Sequence, residues 1–417
     1  MQQNVRSIEA TFRHRSHSLL SGRGWLFAFA AAILLFLAIA SLMRELNFSP
    51  KAAAPDYEGP LIITKGGTYS GNWESKDSDV AAVDVRTKEP VIIENSKIRG
   101  AGFLIRSQGY GANITVRNTE GYGLRPTPYT DYMKPRRFLA VDVFSNVVVE
   151  HCYMEETAGI YLGVEYTGNG SPEQTIKIRY NKALNINGQV YSGKDRVQFV
   201  QFNYRGEVPH AEIAWNEVIN QPGVSAVEDN INIYNSRGTP QSPIRIHNNY
   251  IQGAFPYPLH LEEYSGGGII ADSPGTDSLR ATAYVKVYEN HLVGLGNYCL
   301  GIAGGNNIEM HHNRAVVAAR FPSGKPYHFW TSGIWAKDYY KMSNTFDNSM
   351  HHNTLAVLGK DRTWRNEVYD STFAAAAEYA NHILPDSVTK DLEATEYDLW
   401  QEKLRSNRIK IGPLSHL

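Results

Sequence analysis

The chain has 417 residues, with 41 Lys and Arg against 42 Asp and Glu, a formal net charge of −1, and 42% hydrophobic residues. That length supports one large core, and the balanced charge, without a basic block, argues against nucleic acid as a partner. The 25 Tyr and 35 Gly suit outward aromatic platforms and tight turns.

The first recognisable element is the uncharged apolar run Trp25–Met43, long enough to cross a bilayer as a helix. Arg6, Arg13, Arg15 and Arg23 precede it against the single acid Glu9. The positive-inside rule then keeps residues 1–24 in the cytoplasm and exports the remainder, periplasmic or extracellular. The alternative is a signal peptide cleaved after Ala40, which would release the chain as a secreted protein. Residues 44–59 read as a tether.

Residues 60–90, with turns at Gly66, Gly67 and Gly71, read as an opening coil. From Val91 onward one phrase recurs: two apolar residues one apart, two variable residues, then Asn. Ile176 and Ile178 precede Asn181; Ala211 and Ile213 precede Asn216; Ile244 and Ile246 precede Asn249. Val285 and Val287 precede Asn290, Ile308 and Met310 precede Asn313, and Met350 precedes Asn353 behind a polar first position, Asn348. Ser96, Thr119 and Cys152 hold the Asn position upstream. Alternation points one row of side chains inward. Asn suits a tight bend, since it tolerates the left-handed backbone region. A constant phrase at spacings of 23 to 41 residues marks stacked coils with variable loops, and stacked Asn side chains would bond from coil to coil. The expectation is an all-β fold over 60–360, a parallel β-helix of about nine coils, right-handed by the general bias of parallel crossovers. Cys152 and Cys299 fall about four coils apart, beyond disulfide reach, so both thiols should be free.

A second strand recurs in each coil, beginning at Gly159, Phe199, Asn230, Gly268, Gly301 and Gly333. After residue 361 the pattern changes: Ser371–Ile383 and Ala394–Leu404 read as helices, the latter with an apolar stripe through Tyr397, Trp400 and Leu404. They would form a C-terminal cap over the open end of the solenoid.

On the Asn phrases and glycine-led strands, the region 60–360 resembles the right-handed parallel β-helix proteins of the pectate-lyase-like superfamily. That resemblance implies the fold, and a substrate class of polysaccharides, acidic ones above all, for a lyase, a hydrolase or a non-catalytic carbohydrate-binding member. The catalytic signatures of polygalacturonases and alginate epimerases are absent; Arg408-Ile-Lys410 stands without its companions.

Candidate site residues therefore come from outward columns of the second strand. One column runs Tyr161, Gln201, Asn232, Ile270, Ala303, Trp335; the next runs Gly163, Asn203, Tyr234, Asp272, Gly305, Lys337. Asp272 and Lys337 are the expected catalytic pair, facing one another across Gly305. Tyr161, Gln201, Asn203, Asn232, Tyr234 and Trp335 are the expected sugar-binding groups, by stacking and directional hydrogen bonds. No cofactor is required. Glu228 and Asp229 are a weaker candidate for calcium, and strand rise sets Asp229 about 16 Å from the Asp272 column, too far for a hydrolase pair. Glu262 and Glu263, beside His260 and Tyr264, would lie in a charged loop near the groove. Stacked His311, His312, His351 and His352, with Glu289 one coil earlier, offer a possible transition-metal site against the plainer reading of a solvated turn ladder. The expected function is an exported, membrane-anchored protein that binds or cleaves an acidic polysaccharide; a non-catalytic carbohydrate-binding or structural envelope protein is the alternative.

Overall fold

A computed structural model describes residues 56–125, 134–190, 193–262, 266–275, 279–367, 376–385 and 387–414. The run Trp25–Met43 lies outside them, as do Glu263 and Tyr264; among the described residues no helix is long and apolar enough to cross a membrane.

Parallel strands stack coil upon coil in three rows. The first row runs into the Asn turn and includes Ile176–Arg179, Glu212–Ala214, Ile244–His247 and Ala283–Tyr288. The second row leaves that turn and forms an 11-stranded sheet, from Asn72–Ser75 to His382–Ile383. The third row includes Ile160–Tyr166, Val200–Arg205, Asp229–Tyr234, Gly267–Asp272, Leu300–Ile302 and Ile334–Ala336. First and third rows share one 20-stranded sheet because the 12-residue strand Leu139–Glu150 pairs with both. This is a parallel β-solenoid with eleven rungs in its second row, two more than the nine ladder positions read from sequence. Inward residues such as Ile178, Ile213, Ile246 and Val287 are wholly buried and make a continuous core.

The expected ladder is present and complete. The Asn181 amide donates to Asn216 Oδ1 at 2.9 Å, and the pattern repeats through Asn249, Asn290, Asn313 and Asn353. Each Oδ1 also accepts a backbone N–H from the coil before, as at Cys152 (2.9 Å) and Asn181 (3.1 Å). The second amide hydrogen goes to a backbone carbonyl, as from Asn216 to Ile178 at 2.9 Å. These buried amides are therefore satisfied, which a buried polar group requires. Two details differ from expectation. The left-handed residue is the one before the ladder Asn: Tyr180, Trp215, Asn248, Glu289, His312 and His352 have φ between 53° and 61°. The ladder also continues to Asn381, bonded to Asn353 at 3.1 Å.

That extra rung corrects the C-terminal reading. The described part of 371–383 forms strands Ala377–Tyr379 and His382–Ile383, because pairing with the preceding coil outweighs local helix propensity. The one helix among the described residues is Lys390–Asn407, longer than expected. Thr389 caps its start by accepting from the Leu392 N–H, and Arg408 closes it in the left-handed conformation, which gives the isolated Arg408 a structural role. The helix does not cap the open end. It lies along the flank of the second row, where the Trp400 indole donates to Asn248 O at 2.9 Å and Tyr397 donates to Glu217 at 3.0 Å. Glu396, fully buried, pairs with Arg314 and His291 at 2.7 and 2.8 Å. Both cysteines are buried and free.

Candidate functional site

The third row carries the principal cleft, of about 810 Å³. Asp272, Lys337 and Trp335 line it, as do Glu228 and Asp229. The first outward column holds through Tyr161, Gln201, Asn232 and Ile270, then passes to Gly301, not Ala303, before Trp335. Cys299, which stacks on Gly268 and Gly333, fills the leading position there, so aligning on Gly301 shifts that coil by two residues. Ala303 consequently stands in the second column where Gly305 was expected. Gly301 is glycine for another reason: a Cβ there would lie 2.9 Å from the Trp335 ring of the next coil.

Asp272 is only 8% exposed and accepts from Tyr340 at 2.9 Å and from Asn232 at 3.1 Å. It does not pair with Lys337; the Lys337 ammonium lies 5.6 Å from the centre of the Tyr339 ring. The same Asn232 amide nitrogen donates to Asp229 at 3.2 Å, and Tyr298 donates to the other Asp229 oxygen. Two carboxylate oxygens thus lie no farther apart than two hydrogen bonds laid end to end, below the upper limit of about 9.5 Å for a hydrolase pair. The 16 Å separation inferred from strand rise is overturned, because it measures backbone positions while Asp229, Asn232 and Asp272 lean together through their side chains. Gly267 makes this possible, since a Cβ there would meet both the Tyr298 ring and Asp229 Oδ1.

Electrostatics follow from burial and crowding. Burial, then the neighbouring Asp229 charge, pushes the Asp272 carboxyl up to about 6. Burial, Asp229 and Asp272 push Glu228 up to about 7, against the opposing effects of Arg196 and Gln198. Gln198 Nε2 donates to Glu228 Oε2 at 2.7 Å, and Arg196 approaches Glu228 Oε1 at 3.5 Å. Two carboxyls with separated affinities for a proton, beside a third, form an acid–base constellation.

Other expected binding residues are placed differently. Asn232 is 3% exposed and spends its amide on the two aspartates, so it positions them and does not line the cleft. Tyr161 lines a separate cavity of about 220 Å³, where its hydroxyl accepts from Asn203 at 3.2 Å. Gln201 and Tyr234 lie in the same row, outside the lining of the principal cleft. Tyr298, Tyr340 and Trp330 were missed; the glycine at 267 was the available signal for Tyr298.

Metal chemistry finds less support. His311 stacks on His351 at 5.4 Å and His312 on His352 at 5.2 Å, with planes within 6°. Within each coil the two imidazoles meet through Nδ1, His311 with His312 and His351 with His352 at 2.8 Å each, while the parallel rings of successive coils stay about a rung apart and Glu289 is paired with Lys403 at 2.9 Å. Among the described residues no group of three or more His, Cys, Asp or Glu is placed to hold a metal ion, at the histidines or at Glu228 and Asp229. In the 254–265 loop, Glu262 pairs with Lys360 at 3.4 Å.

No family model matches the chain, and no curated protein matches it in sequence.

Proposed function

We propose that this chain binds a polysaccharide along the third row and cleaves it by hydrolysis in the Glu228–Asp229–Asp272 cleft. The observation that carries the proposal is the carboxyl cluster itself: Asp229 and Asp272 bridged by one amide, with Glu228 pushed to about 7 beside them. Glu228 then serves as general acid, since it retains a proton near neutrality. Asp272, which ionises first at about 6, serves as base or nucleophile, and Asp229 supplies the charge that raises both. Gln198 donates to Glu228 Oε2 and holds the carboxyl in place. Trp335 and Tyr340 offer ring faces for sugars.

Lyase chemistry centred on Lys337 fits less well, because the Lys337 ammonium lies over the Tyr339 ring, 5.6 Å from its centre, and does not pair with Asp272. Non-catalytic carbohydrate binding is favoured by the exposed aromatics of the lining, Trp330 at 42% and Tyr339 at 60%. The solenoid architecture and Asn ladder support a place within the right-handed pectate-lyase-like superfamily. The apolar run Trp25–Met43 behind a basic leader supports export with a membrane anchor.

The pH–rate profile tests the assignment. Activity should rise as Asp272 ionises near 6 and fall as Glu228 loses its proton near 7. Glu228→Gln and Asp272→Asn should each lower kcat by about a thousandfold or more. Hydrolysis that persists in both variants, with the same profile, rejects the site.

A further inference from the structure

Resting on the polysaccharide reading above, we propose that the cleft selects a glycan with free amino groups, a cationic sugar chain, over one built of uronic acids, with Asp195 as the ammonium contact. The cleft is lined by four carboxyl residues, Asp195, Glu228, Asp229 and Asp272, against Arg196 and Lys337. Asp272 is held by neutral donors, Tyr340 and Asn232. The Arg196 side chain is 87% exposed, so water and salt screen most of its charge from Glu228. Asp195 is half-buried on the same lining, and among the described residues its side chain makes no hydrogen bond or ion pair. Buried Arg137 senses the Asp195 charge, but its guanidinium is engaged with the carbonyls of Ala158 and Arg196.

A second observation points the same way. Beneath the lining, Asn232 is 3% exposed and spends its amide hydrogens on Asp229 and Asp272, so it leaves no donor there to receive a uronate. The groups gathered here are chiefly acceptors, and an ammonium offers three donors and no acceptor, whereas a uronate carboxylate offers acceptors alone. The rings of Tyr298, Trp335 and Tyr340 add faces that attract a cation. The carboxyls do not converge as metal ligands among the described residues, and an ammonium needs no fixed coordination geometry. Asp195 shares the cleft lining with Asp272 and Glu228, so it can hold the amine while they act on the neighbouring linkage.

Calorimetric titration of the purified full-length chain with three six-residue ligands tests this: a glucosamine oligosaccharide, its fully N-acetylated counterpart and an oligogalacturonate. The amine ligand should bind about tenfold or more tighter than the acetylated one, and added salt should weaken it selectively. Asp195→Asn should erase the preference and leave binding of the acetylated ligand in place. Equal binding of the amine and acetylated ligands, or tighter binding of the galacturonate, overturns the proposal while the polysaccharide reading stands. Failure of all three to bind overturns both. The ranking in the unmodified chain decides the matter even if the variant does not fold.

Discussion

A carboxyl that is 8% exposed and crowded by another is stabilised in its protonated form, and Asp272 illustrates the consequence for folding. Its folded-state value, about 6, lies above the ordinary 3.8, so its contribution is fully present below about 3.8 and is lost as pH rises through 6. Asp272→Asn should therefore stabilise the fold at pH 8 by on the order of 1–3 kcal/mol, read as a raised unfolding temperature, and do little below pH 4. Thermal unfolding at the two pH values checks it, and a lowered midpoint at pH 8 would contradict the assignment. Glu212 has the opposite sign. Burial alone would raise it, yet His247, Arg245 and Arg179 hold it near 2, so its stabilisation is present above about 4.5 and is lost as pH falls toward 2. At this scale the sequence announced Asp272 and Trp335 through their columns. It concealed the Asp229–Asp272 contact, since backbone spacing says nothing of the direction in which polar side chains lean.

The Asn ladder was the most legible element, because inward amides that must bond to the coils above and below leave a fixed residue at a fixed place. The left-handed residue before each ladder Asn was not legible: Tyr180, Trp215, Glu289 and His352 share no side-chain chemistry. What they share is the backbone path of a two-residue bend, set by the strands on either side. Likewise Ala377–Tyr379 reads as helix locally and becomes strand only because a preceding coil offers it a pairing edge. Asn249→Ala would take the acceptor from one Asn216 amide hydrogen and from the Asn216 backbone N–H, and remove one of two donors to Asn290 Oδ1. A loss of about 2–4 kcal/mol is expected, measured by denaturant unfolding. Asn381→Ala, at the last and partly buried rung, should lose clearly less. Equal losses at both positions would show that the ladder is not cooperative along the stack.

Across the whole solenoid, eleven rungs at about 4.8 Å make a rod of roughly 50 Å, with the proposed site on one of three faces. The second face is occupied by the C-terminal helix, through Trp400, Tyr397 and Glu396. The first carries charge and imidazole ladders satisfied within the stack, such as Lys286–Glu309 at 2.8 Å and Glu309–His351 at 3.1 Å. The third keeps the cleft and the carboxyls that line it, Asp195, Glu228, Asp229 and Asp272. Repetition alone revealed the architecture; the cleft emerged only where repetition breaks, at Cys299, Gly267 and the segment carrying Tyr339 and Tyr340. The most direct test is product analysis after incubating the chain, and its Glu228→Gln variant, with a panel of neutral, amino and uronic polysaccharides. New reducing ends without ultraviolet-absorbing unsaturated products, and lost in the variant, are the predicted result. Unsaturated products, or identical release by the variant, would contradict hydrolysis in this cleft.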